Sequence, residues 1–125
     1  MTDQTRVLVI DDDFEMRQLM RRILEMSGHT VEEALDGEEG LWTYRRAQPD
    51  VVITDIFMRD MDGLATIKEM LREFPNARII AVSGGRGEGK VDFLAKARAL
   101  GARRTLEKPF AQQDLLDAVT AVLQE

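Results

Sequence analysis

Two kinds of apolar spacing alternate along the chain and predict alternating strands and helices. Residues 6–10 (RVLVI) and 51–54 (VVIT) are short runs of mostly β-branched residues, typical of strands buried on both faces. Between them, Gly28 can end a helix, because glycine is favoured just past a helix C-terminus. The residues predicted to form the core face of that helix follow i, i+3, i+4 spacing: Met16, Leu19, Met20, Ile23 and Leu24.

The same alternation continues through the rest of the chain. Further strand patterns occupy residues 29–33, 78–82 and 103–106. Asp62 can cap a helix that begins after it. The inward residues of the remaining helices are Leu41 and Tyr44 in 38–47, then Leu64, Ile67, Leu71 and Phe74, then Phe93, Ala97 and Leu100, and finally Leu115, Val119, Val122 and Leu123.

Five consecutive strand–helix units predict the fold class. Parallel strands need crossover connections, so the helices must cover both faces of the sheet. We therefore predict an α/β fold in which residues 1–125 form one domain. Its sheet is a doubly wound, five-stranded parallel sheet between two helix layers. In such sheets, ligands bind at the carboxyl ends of the strands.

Composition excludes several classes of function. The 125 residues include no cysteine, which rules out disulfide scaffolds, thiolate metal sites and cysteine catalysis. No apolar run approaches the roughly 18 residues that a membrane span requires. The net charge of −6 argues against binding to a nucleic-acid backbone. We expect a cytoplasmic protein that engages neither membranes nor nucleic acid.

Polar residues at the predicted strand ends form a specific chemical set. The first strand runs into Asp11-Asp12-Asp13, the third into Asp55 and the fourth into Ser83, and Lys108 follows the fifth. Clustered carboxylates repel, so they bind a cation or retain a proton. Oxygen ligands with open positions suit Mg²⁺, and lysine and serine can contact phosphate oxygens.

An aspartate in such a site can act as a nucleophile and form an aspartyl-phosphate. Each residue also has an ordinary structural interpretation. Asp13 fits a helix N-cap, Asp55 or Ser83 could simply open a turn, and Lys108 could be a surface lysine. The joint arrangement is much harder to explain by chance than any one member of it.

Five segments resemble the receiver (CheY-like) domains of bacterial response regulators, which act in two-component phosphorelay systems. Each segment alone is a weak signal, whereas five in the family's order across residues 7–123 are specific. They are VLVIDDDFEMR at 7–17, EALDGEEGL at 33–41, VVITDIFMRDMDG at 51–63, IIAVSG at 79–84 and GARRTLEKPF at 101–110. The resemblance implies a flavodoxin-like (βα)5 fold and one receiver domain without an output domain.

The resemblance also implies a role for each residue at the strand ends. Asp55 would accept a phosphoryl group from a histidine kinase or a histidine phosphotransfer protein. Asp11, Asp12, Asp55 and the main-chain carbonyl of Phe57 would ligate Mg²⁺. The protein would assist its own phosphorylation and dephosphorylation without being an enzyme.

The remaining roles concern sensing of the phosphoryl group. Ser83 and Lys108 would contact its oxygens, and the Lys108–Pro109 peptide bond would be cis. The fifth strand departs from the pattern, because many receivers carry an aromatic switch residue where this chain has Thr105. Switching would then depend on a shift of Ser83 and of the glycine-rich segment after it.

The resemblance implies that the signal passes to a downstream protein through the face formed by the fourth helix, fifth strand and fifth helix. We expect the chain to be a monomer, although a dimer is left open. That face would include Lys96, Arg103, Arg104, Gln112 and Gln113.

Two alternatives remain open. One is a pseudo-receiver, an interaction module that keeps the fold but is not phosphorylated. The other is a nucleotide-binding protein, because Gly84 to Lys90 has the spacing of most of a P-loop. Val91 follows, however, where that motif needs a hydroxyl for Mg²⁺.

Overall fold

Strands and helices alternate along the chain in the computed structural model, which describes residues 5–58, 62–84 and 90–125. The strands are β1 (Arg6–Ile10), β2 (Thr30–Ala34), β3 (Val51–Asp55), β4 (Ile79–Ser83) and β5 (Arg104–Glu107). The helices are α1 (Phe14–Met26), α2 (Gly37–Ala47), α3 (Gly63–Glu73), α4 (Lys90–Leu100) and α5 (Gln112–Leu123).

The five strands form one parallel sheet in the order β2-β1-β3-β4-β5. Successive side chains of each strand point to opposite faces, which creates two apolar layers. In β1, Leu8 packs with the layer covered by α2, α3 and α4, whereas Val9 packs with the layer covered by α1 and α5. The predicted doubly wound α/β/α architecture is therefore confirmed.

The predicted end signals of two helices are confirmed. Asp62 is the N-cap of α3, and its carboxylate accepts a hydrogen bond from the amide of Ala65 at 2.7 Å. Gly28 follows the end of α1 with φ +90°, a conformation that side chains with a Cβ rarely adopt. Within the described ranges, no helix combines the length and the apolar composition that a membrane span requires.

Two predictions about the cores of helices were wrong. Leu19 is 46% exposed, because it lies about 100° around α1 from the buried Met20. Leu100, at the last turn of α4, is also exposed, although Ala97 is fully buried. Met70, which was not among the residues predicted to face the core, is completely buried on α3.

Candidate functional site

Three carboxylates meet at the carboxyl end of the sheet. Asp11 directly follows β1 and is completely buried, Asp12 is half-buried, and Asp55 is the last residue of β3 and is 6% exposed. One carboxylate oxygen of each residue lies within 4.8 Å of the other two. The structure thus brings together the three acidic side chains that the family resemblance assigned to a Mg²⁺ site.

Lys108 lies against two of these carboxylates. Its Nζ is 3.0 Å from Oδ2 of Asp11 and 3.3 Å from Oδ2 of Asp55. The backbone amide of Lys108 donates to the carbonyl of Ser83 at 2.8 Å, which fixes the end of β5 against the end of β4. The Lys108–Pro109 peptide bond is cis, as the resemblance implied.

Burial and neighbouring charges shift the pKa values of Asp55 and Lys108. Burial raises the pKa of Asp55, the Lys108 charge opposes that effect, and the Asp11 carboxylate reinforces it, so the pKa lies above its usual value. Burial lowers the pKa of Lys108, but the charges of Asp55 and Asp11 outweigh it and leave that pKa raised. Lys108 is therefore held as a cation beside the carboxylates.

The remaining carboxylate of the triplet has a structural role. Asp13 is the N-cap of α1, and its Oδ1 accepts from the amides of Glu15 at 3.0 Å and Met16 at 3.4 Å. This confirms the capping interpretation of Asp13. The amide of Asp13 in turn donates to Oδ1 of Asp11 at 2.9 Å, so the cap also orients a buried carboxylate.

The segment after β3 approaches Asp55 with its backbone. The amide of Phe57 donates to Oδ1 of Asp55 at 3.2 Å. The ring of Phe57 is 40% exposed and packs edge-on against Phe93 of α4, with ring centroids 5.0 Å apart. Residues 59–61, which follow this segment, lie outside the described residues.

Ser83 and Thr105 lie on the adjacent strands β4 and β5. Ser83 ends β4, is 1% exposed and pairs with Glu107 in register. Thr105 is half-buried and pairs with Ala81, which lies two residues before Ser83 on β4. Residues 85–89, which make up most of the P-loop-like segment and of the glycine-rich segment after Ser83, lie outside the described residues.

The residues of the cluster fit Mg²⁺. They offer carboxylate oxygens, which are the ligands that this hard cation prefers. Asp11 and Asp55 are both buried, and burial together with the Asp11 charge raises the pKa of Asp55 despite the Lys108 charge, so a cation here would stabilise the ionised carboxylates. Asp12, Asp55, Phe57, Gly84 and Lys108 line an open cleft above the cluster, so water and a phosphate group have access to it.

Sequence reasoning missed a second group of residues that supports the cluster. Arg17 of α1 donates from Nη1 to the carbonyl of Asp11 at 2.8 Å and from Nε to Glu33 of β2 at 3.1 Å. Gln18 and Arg21 also contact Glu33. Helical spacing places these α1 side chains on one side of the helix, but nothing in the spacing identifies Glu33 as their partner.

A sequence model of one protein family, the response regulator receiver domain, matches residues 7–120. The chain belongs to this family. Receiver domains act in two-component signalling as phosphoacceptors, interact with histidine kinases and downstream effectors, and typically bind Mg²⁺ in an acidic pocket.

Individual relatives agree with this assignment. The chain is 35% identical to the chemotaxis protein CheY of Thermotoga maritima, over 94% of this chain and 96% of that protein. A receiver domain protein from Clostridium thermocellum superposes with a TM-score of 0.89 at 31% identity, covering 96% of this chain and 94% of that chain. CheY4 of Vibrio cholerae gives 0.86 at 30% identity, covering 97% and 100%.

Proposed function

We propose that this receiver domain is a phosphorylation-activated switch that accepts a phosphoryl group on Asp55 in the presence of Mg²⁺. The donor is the phosphohistidine of a histidine kinase or of a histidine phosphotransfer protein. The observation that carries the proposal is the cluster of Asp11, Asp12 and Asp55 with Lys108 bridging two of its members. A buried aspartate with a cation beside it and access to the surface can serve as a nucleophile.

In the reaction, a carboxylate oxygen of Asp55 attacks the phosphorus atom as the bond from phosphorus to the donor's imidazole nitrogen breaks. Asp11, Asp12, Asp55 and the main-chain carbonyl of Phe57 would hold Mg²⁺, which would supply electrostatic stabilisation of the transferred group. Lys108 contributes a fixed ammonium to the same oxygens. Hydrolysis of the acyl phosphate regenerates Asp55, so the protein is reset without being an enzyme that turns over a separate substrate.

Phosphorylation changes the contacts available to Lys108 and Ser83. In the structure Lys108 is held by Asp11 and Asp55, and a phosphoryl group on Asp55 offers it a more highly charged partner. The Ser83 hydroxyl at the end of β4 then acts as the hydrogen-bond donor to the phosphoryl oxygen. Thr105, which lacks an aromatic ring, leaves the switch to Ser83 and the segment that follows it.

The proposed output is contact with a downstream protein through α4, β5 and α5. Described residues on this face include Lys96, which lies over the Phe93 ring at 5.2 Å, and the exposed Gln112 and Gln113. Arg103 and Arg104 of the same expected face are half-buried beside Glu125. Residues 1–125 are proposed to work in the cytoplasm as one receiver unit and as a monomer.

Intact-mass measurement after incubation with acetyl phosphate tests the proposal. The wild type should gain one phosphoryl group in the presence of Mg²⁺, and none when Mg²⁺ is chelated. Asp55→Asn should gain none under either condition, while Asp13→Asn, which alters the N-cap carboxylate, should still be phosphorylated.

The alternatives predict different results. A folded wild-type protein that binds Mg²⁺ but gains no adduct would indicate a pseudo-receiver. An adduct that persists in Asp55→Asn would place the acceptor elsewhere. Stabilisation by ATP with Mg²⁺ beyond that given by Mg²⁺ alone would favour the nucleotide-binding alternative, whose Gly84 to Lys90 motif is supported by spacing only.

A further inference from the structure

Arg17 ties the loop that carries the acidic cluster to the neighbouring strand. The loop consists of Asp11, Asp12 and Asp13, between β1 and α1. Arg17 reaches back from the second turn of α1, donates from Nη1 to the Asp11 carbonyl at 2.8 Å, and pairs through Nε with Glu33 at 3.1 Å. We propose that Arg17 is a positioning residue for Mg²⁺ binding at this site, an inference that rests on the proposed function.

Arg17 is itself held in place. Its side chain is only 12% exposed, and that of Glu33 only 18%. Burial raises the pKa of Glu33, but hydrogen bonds from Arg21, Arg17 and Gln18 outweigh that effect and keep the pKa below its usual value. A carboxylate that stays ionised makes a charge-assisted bond, which is stronger than a neutral one. The Arg17 guanidinium also lies over the Phe14 ring at 5.5 Å.

Other hydrogen bonds also hold this loop. The amide of Asp11 donates to the carbonyl of Ala34 at 3.1 Å, and the amide of Asp13 donates to Oδ1 of Asp11. These bonds hold the two ends of the loop. Arg17 instead holds the carbonyl of the peptide bond that joins Asp11 to Asp12, two of the proposed metal ligands. If the bond from Arg17 were lost, rotation of the Asp11–Asp12 peptide plane would change the direction of the Asp12 side chain relative to Asp11 and Asp55.

A positioning role and a purely electrostatic role of Arg17 predict opposite effects on Mg²⁺ affinity. A positive charge near the site repels Mg²⁺, so loss of the Arg17 charge by itself would strengthen Mg²⁺ binding. Loss of the hydrogen bond to the Asp11 carbonyl would weaken it, because binding must then also order the loop. The sign of the change therefore distinguishes the two roles.

Calorimetric titration with MgCl₂, without a phosphodonor, provides the test. Arg17→Gln should raise the Kd for Mg²⁺ by about tenfold, which is the lower end of the usual effect of losing a residue that orients metal ligands. Arg17→Lys should raise the Kd by a smaller factor, because an ammonium can still donate to one of the two partners. It cannot serve both the Asp11 carbonyl and Glu33 as a guanidinium does. Arg21→Gln is the matched control, since it removes the same charge and a contact to the same Glu33.

The rate of phosphorylation by acetyl phosphate supplies a second readout. In Arg17→Gln the Mg²⁺ concentration for half-maximal rate should rise about as much as the Kd, whereas the rate at saturating Mg²⁺ should approach that of the wild type. A role in holding the fold alone would lower the free energy of unfolding and leave the Kd of the folded variants unchanged.

Each other outcome contradicts a defined claim. Tighter Mg²⁺ binding in Arg17→Gln, with no change in Arg17→Lys, would show that Arg17 acts only through its charge. An equal loss of affinity in Arg21→Gln would show that the contact to the Asp11 carbonyl is not the cause. A wild-type protein that binds no Mg²⁺ would overturn the proposed function, and the inference with it.

Discussion

At the scale of single residues, the ionised form of Asp55 is costly in the metal-free protein. The side chain is buried beside the Asp11 carboxylate, and its pKa is raised in spite of Lys108. An aspartate whose folded-state pKa is raised contributes stability that is present at low pH and is lost as the pH rises through that pKa. At neutral pH, therefore, the Asp55 charge lowers the free energy of unfolding.

This cost predicts that Asp55→Asn stabilises the metal-free protein at neutral pH. The amide keeps the shape of the side chain and removes the repulsion by Asp11 together with the cost of burying a charge. The gain should shrink as the pH falls toward about 4, the ordinary pKa of an aspartate, because Asp55 then becomes neutral in the wild type too. Urea unfolding of both proteins in a chelator, at a series of pH values, measures the difference.

The exposed Asp117 of α5 provides a control for this measurement. Asp117→Asn removes the same formal charge at a surface position, where its carboxylate accepts a hydrogen bond from Gln113 at 2.8 Å. It should change the free energy of unfolding little at any pH. A loss of stability in Asp55→Asn at neutral pH would mean that the bond from Lys108 outweighs the repulsion.

At the scale of helices and strands, residue spacing and capping residues predict a feature correctly when that feature depends on a single element. The Asp13 and Asp62 caps, the glycine after α1 and the strand at 6–10 follow from neighbours within a few residues. Leu19 was misplaced because its burial depends on which part of α1 faces the sheet. The contact between Arg17 and Glu33 does not follow from local spacing, because the two residues are 16 positions apart and lie on different elements.

The start of α3 packs directly against the end of β3. A Cβ added at Gly63 would lie 2.1 Å from the carbonyl oxygen of Asp55 and 2.5 Å from Cα of Ile56, and both are backbone atoms that cannot rotate away. The amide of Gly63 also donates to the carbonyl of Ile56 at 2.7 Å. The absence of a side chain at Gly63 therefore sets how closely α3 approaches the acceptor.

We predict that Gly63→Ala lowers both the stability and the rate of phosphorylation. Forcing α3 away from β3 should cost roughly 1–3 kcal/mol, as overpacking usually does, and should displace the backbone of Asp55. Gly28→Ala is the control, because nothing lies within 4 Å of a Cβ there and the strain comes only from φ +90°. It should lower stability without slowing phosphorylation by acetyl phosphate. Equal rates in the wild type and Gly63→Ala would refute the prediction.

At the scale of the whole molecule, the strand order explains why these particular residues meet. β1 and β3 are neighbours at the point where the chain reverses its direction across the sheet, so Asp11 and Asp55 lie at the edge where such folds bind ligands. Lys108 comes from beyond β5, two strand spacings or roughly 10 Å from β3. Its long side chain crosses over β4 beside Gly84, where a Cβ would lie 2.8 Å from its Cδ.

A site assembled from three separate strands couples metal binding to the stability of the entire domain. Unfolding separates Asp55 from Asp11 and Asp12, so we expect Mg²⁺ to bind the folded state in preference to the unfolded chain. Mg²⁺ at about 100 times its Kd should then raise the free energy of unfolding by about 2.7 kcal/mol. Asp12→Asn removes a charged ligand from the half-buried position and should lose most of this gain.

Thermal unfolding with a chelator, with Mg²⁺, and with Mg²⁺ plus ATP measures this coupling. Free Mg²⁺ has to be held equal in the last two samples, because ATP itself chelates the metal. Mg²⁺ alone should then give the full increase in Tm, since every ligand proposed for it belongs to the sheet edge. No increase in the wild type, or an equal increase in Asp12→Asn, would mean that the carboxylate cluster does not hold the ion. A further increase in Tm with ATP would mean that this chain binds a nucleotide, which the proposed phosphoacceptor function does not require.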